Sequence, residues 1–137
     1  MGTREMKNLK ISTELASAVL GKEVTKCSLV NKTRNSINIT YFEDKEDFNT
    51  VWKEWNIYEL AFKCKEWAYT NKYRLSSGQH RLNTKQEHYI NNQIASYFCS
   101  VYYITNDDSD IQIDANTEPE AIFKACEWLL EMLNEKA

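Results

Sequence analysis

Asn56-Ile-Tyr-Glu-Leu-Ala-Phe-Lys-Cys-Lys-Glu-Trp-Ala68 recurs sixty-one positions later as Thr117-Glu-Pro-Glu-Ala-Ile-Phe-Lys-Ala-Cys-Glu-Trp-Leu129, with Glu, Phe, Lys, Glu and Trp identical in register. Both copies carry the grammar of a helix start. Asn56 and Thr117 are side chains that accept a backbone N–H in the first turn, and Glu59 and Glu120 stand three residues later, where a capping box places its acid. Each glutamate also precedes a lysine by four, Lys63 or Lys124, the favourable order for a helical ion pair. At 3.6 residues per turn, Ile57, Leu60, Ala61, Cys64, Trp67 and Ala68 share one side of the first helix. Ala121, Ile122, Ala125, Trp128, Leu129 and Met132 share one side of the second.

The opposite sides are not cleanly polar. Tyr58, Phe62 and Tyr69 cluster on the first helix, and Phe123 and Leu130 occupy the matching register on the second. Either a neighbouring loop covers them, or they form a second packing surface for a homodimer or another protein, since contiguous exposed apolar area marks interaction sites.

The segments leading into the helices also correspond. Ile37, Ile39 and Tyr41 alternate with Asn38, Thr40 and Phe42, the pattern of a half-buried strand. The acidic turn from Glu43 to Asp47 and a returning segment, Phe48 to Trp55, follow; a strand is the reading of that segment and a helical start its competitor. Sixty-one residues on, Tyr97 to Thr105 is the strongest strand, Asn106 to Asp110 is a turn, and Ile111, Ile113 and Ala115 return toward Thr117. Ahead of both copies, Ser12 caps a short helix that Gly21 ends, and Val24 to Val30 is a strand. The prediction is an α+β fold, a mostly antiparallel sheet with packed helices, built from two strand-turn-strand-helix (ββα) units preceded by a short helix and a strand. Residues 1–10 read as a leader or tag and 11–137 as one domain. Tyr73 to Ser77 reads as a further short strand broken by Gly78, and the polar segment Gln79 to Asn92 as a long loop.

The two helical phrases resemble segments of small, uncharacterised bacteriophage and prophage proteins, and the outline from about residue 12 to 135 is loosely similar to the phage αβα-sandwich domain family. The resemblance implies a phage or prophage origin and, for a phage-encoded chain, the host cytoplasm. It implies no biochemical activity and assigns no site residues.

The chain has 137 residues, 42% of them hydrophobic and 12% aromatic, with a net charge of −3. That is enough to bury one core. The acidic balance argues against nucleic acid and an anionic membrane surface as partners, and no run of eighteen apolar residues occurs. Cys27, Cys64, Cys99 and Cys126 lack the close pairing of zinc ligands and read as reduced, structural thiols in a cytoplasmic protein. The acidic turns lack the ligand periodicity of calcium loops. No catalytic residue, metal or cofactor is expected.

Arg74, His80, Arg81 and Lys85 are the candidates for a small anionic ligand such as a nucleotide, with tyrosines to stack its base. Two readings of function follow. The first is a non-enzymatic accessory protein that binds another protein or itself; the alternative is a nucleotide-binding or sequestering protein.

Overall fold

The structure is a computed structural model that describes residues 9–31, 35–44, 46–80, 89–90, 93–94 and 96–136. It is α+β. A short helix, α1 (Thr13–Leu20), leads into the antiparallel sheet β1 (Val24–Asn31), β2 (Ser36–Asp44) and β3 (Asn49–Asn56), which ends in helix α2 (Ile57–Thr70). A second antiparallel sheet is formed by β4 (Tyr73–Gln79), β7 (Tyr97–Tyr103) and β8 (Ile111–Ala115), and it ends in helix α3 (Glu118–Lys136). Between β4 and β7 lies a two-stranded ribbon, β5 (Tyr89–Ile90) with β6 (Gln93–Ile94).

The repeated module is therefore larger by one strand than the sequence reading. Each copy is a three-stranded meander followed by a helix, in the order β1-β2-β3-α2 and β4-β7-β8-α3. The segment after Phe48 is a strand, with Phe48 itself in the turn at φ 56°.

The caps work as their residue types require. Asn56 accepts from the N–H groups of Tyr58 and Glu59, and Thr117 Oγ1 accepts from Glu120 N at 3.3 Å. Ser12 Oγ accepts from Leu15 N at 3.0 Å, and Gly21 ends α1 in the left-handed region at φ 67°, where a Cβ would be strained.

Four expectations are corrected. Gly78 does not break the strand: β4 runs through it to Gln79, and the cross-strand Phe98 ring lies 3.6 Å from where a Cβ would stand, so the glycine makes room for the aromatic. Lys63 pairs with Glu66 at 3.8 Å, whereas Lys124 does reach Glu120, at 3.2 Å. Leu9 is buried against the core, so the packed domain begins inside the stretch read as a leader. The stretch 79–92 contains the end of β4 and strand β5, so it is not wholly loop.

Helix α3 lies on β7, β8 and β4, with α2 beside it over β4. Helix α1 packs on β1. The core draws on all of these, with Ile39, Ile57, Leu60, Val101, Phe123 and Leu129 fully buried. The inner faces of the two long helices correspond position by position, Leu60 with Ala121, Ala61 with Ile122, Cys64 with Ala125 and Ala68 with Leu129, and all eight are buried.

Candidate functional site

The outer faces of those helices differ. Positions 58, 62 and 69 fall within about 40° of one another around a helix of 3.6 residues per turn, and on α2 they hold Tyr58, Phe62 and Tyr69, exposed by 52%, 62% and 60%. Sixty-one residues on, the same stripe of α3 holds Pro119, Phe123 and Leu130; the first two are buried and Leu130 is half-buried against the core. Phe123 is 0% exposed, so it and Leu130 belong to the interior and not to a partner surface. Helix α3 is buried on two sides because it occupies the middle of the molecule, whereas α2 is buried on one.

The two glutamates of the repeat follow the same division, while the lysines are exposed and the tryptophans half-buried in both copies. Glu120 is buried, while Glu59 is exposed. Glu127 accepts two hydrogen bonds from Ser12, from its N at 2.6 Å and its Oγ at 2.7 Å, which ties α3 to the start of α1. Its counterpart Glu66 faces solvent and pairs only with Lys63 among the described groups. A tyrosine, a phenylalanine and a second tyrosine standing clear on one helical face, each with a large apolar ring, are the residue types that anchor protein interfaces.

A second group of exposed aromatics was not legible as such. Trp52 projects from the outer face of β3 and is 66% exposed; Phe48, at the adjoining turn, is 78% exposed and meets Phe42 edge-on at 6.5 Å between centroids. Both alternating sets of β3 contain a tryptophan, Trp52 with Thr50 and Glu54, and Trp55 with Val51 and Lys53. The signal was in their companions: Trp52 travels with Thr50 and Glu54, a polar set.

Two of the four ligand candidates can be placed. Arg74 and His80 lie on the same outer face of the second sheet, six residues apart along the chain and so about 20 Å apart. Each is engaged locally. The Arg74 guanidinium stacks 4.0 Å from the Tyr102 ring centroid and donates to Asn106 O, while His80 Nε2 lies 2.8 Å from Asp114 Oδ1 and its ring sits against Phe98. Arg81 and Lys85 lie outside the described residues, as does His88. The structure does not bring Arg74 and His80 together into one anion site.

The cysteines are not poised for chemistry. Burial pushes Cys99 up to about 12, and burial followed by the nearby Glu127 and Glu14 pushes Cys27 up to about 11. Hydrogen bonding with Cys64, then burial, raises Cys126 as well. All four are free thiols, and those three are held protonated at neutral pH, without the thiolate that nucleophilic attack requires.

One recess of about 410 Å³ lies between the lead into α1 and the first sheet, lined by Leu9, Ile11, Cys27, Leu29 and Ile37 with Lys10, Ser12 and Glu127 as its polar residues. Ser12 and Glu127 bond each other, so the walls offer a ligand mainly apolar contact. Among the described residues no group of His, Cys, Asp and Glu is placed to hold a metal ion, and no helix is long and apolar enough to cross a membrane.

Comparison with protein-family models, curated proteins and solved structures gives no match to the chain. The functional reading accordingly rests on the residues and their placement.

Proposed function

We propose that this chain is a non-enzymatic accessory protein, of phage or prophage type, that works by binding another protein on the outer face of α2. The observation that carries the reading is the contrast within the repeat: the stripe that α3 buries is presented by α2 as Tyr58, Phe62 and Tyr69, each more than half exposed. Burying three such rings would stabilise a complex by several kcal/mol, on the scale of about 25 cal/mol per Å² of apolar area, before the costs of association. The thiols of Cys27, Cys99 and Cys126 weigh in the same direction, since none is held as an activated nucleophile.

The test uses the intact chain and a Phe62→Ser, Tyr69→Ser variant as paired baits in a lysate of the bacterial host. Proteins retained by the first and lost with the second, while both baits keep the same circular dichroism and melting behaviour, are the expected result. Identical captures would overturn the assignment of this face. A thermal-shift screen against nucleotides separates the alternative, because a ligand at a hundredfold its Kd stabilises by about 2.7 kcal/mol; no shift is expected.

A further inference from the structure

We propose that the open edge of β3 pairs antiparallel with β3 of a second copy, with Trp52 facing Trp52 at the two-fold axis, to make one continuous six-stranded sheet. This goes beyond the α2 face and does not depend on it.

The backbone carries the first step. In an antiparallel pair, residues whose N–H and C=O bond the neighbour alternate with residues whose groups point away. Ile57 N donates to Asn35 O at 2.8 Å, so the hydrogen-bonded pairs of β2 with β3 are the odd ones, Ile37 with Trp55, Ile39 with Lys53 and Tyr41 with Val51. Phe42 N bonding Glu23 O, on the far side of β2, agrees with that phase. The N–H and C=O groups of Thr50, Trp52 and Glu54 therefore aim outward from the sheet.

The two edges of the first sheet differ in how they are treated. Natural edges are blunted by bulges, prolines and charges that stop another strand from adding. The β1 edge has irregularities between Val24 and Lys26 and between Leu29 and Asn31. The β3 edge keeps unbroken register with β2 from Thr50 to Asn56, has no proline, and leaves Thr50, Trp52, Lys53 and Glu54 all exposed. Its one lysine is folded back, with Nζ 4.1 Å from the Trp55 ring centroid.

Charge then selects the partner's register. A two-fold axis perpendicular to the sheet keeps both outer faces on one side, so residues of like parity meet. Centring the axis on Lys53 or on Glu54 sets like charges directly opposite, which is destabilising. Centring it on Trp52 places two exposed indoles together, sets Thr50 opposite Glu54 and Val51 opposite Lys53, and uses the strand from Asn49 to Trp55. An aromatic pair across strands is a favourable one. A Val51-centred register also avoids like charges but uses only the stretch from Asn49 to Lys53, so the Trp52-centred register pairs the longer run of strand.

The register gives the test. In a hydrogen-bonded pair the two Cα atoms are about 5.5 Å apart, within the range of about 4.4–6.8 Å that a disulfide spans. W52C is expected to form a covalent dimer under mild oxidation with copper phenanthroline, while E54C, whose copies stand four residues out of step, is not. Cys64, Cys99 and Cys126 are buried, which keeps the background low. Light scattering over a concentration series is expected to show a dimer for the unsubstituted chain and for Phe62→Asp, and a monomer for Trp52→Glu with unchanged circular dichroism. A monomer at every concentration, or equal cross-linking of W52C and E54C, would overturn the proposal. So would a dimer lost in Phe62→Asp and kept in Trp52→Glu, which would move self-association to the α2 face.

Discussion

Phe123→Ala is expected to lower the free energy of unfolding by about 3–5 kcal/mol, the range for emptying a buried phenylalanine site, while Phe62→Ala changes it by no more than about 0.5 kcal/mol, as surface substitutions do. The two residues are identical, stand in identical registers of capped helices and are flanked by the same lysine. Only the setting differs. Phe123 has no exposed surface and is the largest fully buried side chain, in a helix with packed neighbours on two sides; truncation leaves a cavity that the surrounding strands and helices cannot close without moving. Phe62 already contacts water over most of its surface, so its removal gives up little on unfolding. Urea melts of the two variants, analysed with a common m-value, measure the difference directly.

Glu127→Ala is expected to cost about 2–3 kcal/mol, the scale of a hydrogen-bonded charged group whose partners are left behind. The carboxylate accepts both the backbone N–H and the hydroxyl of Ser12, and Ser12 in turn caps α1 through Leu15 N. Its removal therefore leaves a half-buried N–H without an acceptor and loosens the N-cap of an eight-residue helix, too short to be stable alone. Glu66→Ala, the same change at the repeated position, should be nearly silent, because an exposed helical pair is worth little. Denaturant melts give the energies, and native-state hydrogen exchange at the α1 amides is expected to accelerate in Glu127→Ala and not in Glu66→Ala. Unaltered α1 exchange would show that Glu127 does not hold this helix.

These paired outcomes mark where local sequence stops being informative. The capping residues, the αL glycine and the inward stripes are local features, and Asn56, Thr117, Ser12 and Gly21 act in the structure as their chemistry implies. The sixty-one-residue offset likewise carries a true structural correspondence, since β2, β3 and α2 map onto β7, β8 and α3. Which copy of a repeated helix ends in the middle of the molecule is a property of the whole chain. Nothing near Phe62 or Phe123 encodes it, so Phe123 reads as a surface candidate when it is core.

The exposure of Trp52 was not legible for a related reason. A two-sided strand with one indole in each alternating set can be placed either way up, and the face it buries is decided by β2, where Ile37 and Ile39 go inward opposite Trp55 and Lys53. Gly78 misled because a glycine in a strand signals either a break or an approaching group, and the approaching group, Phe98, lies twenty residues away. For the ligand candidates, nearness along the chain is not nearness in space, because the rise of an extended strand sets Arg74 near the start of β4 and His80 just past its end.

The account turns on α2 presenting bare the stripe that α3 covers, and residue-resolved hydroxyl-radical footprinting of the purified chain reads that contrast most directly. Heavy modification of Tyr58, Phe62 and Tyr69 beside a protected Phe123, with Phe62 oxidised many times faster than Phe123, is the predicted result. Equal protection of Phe62 and Phe123 in the purified chain would contradict it.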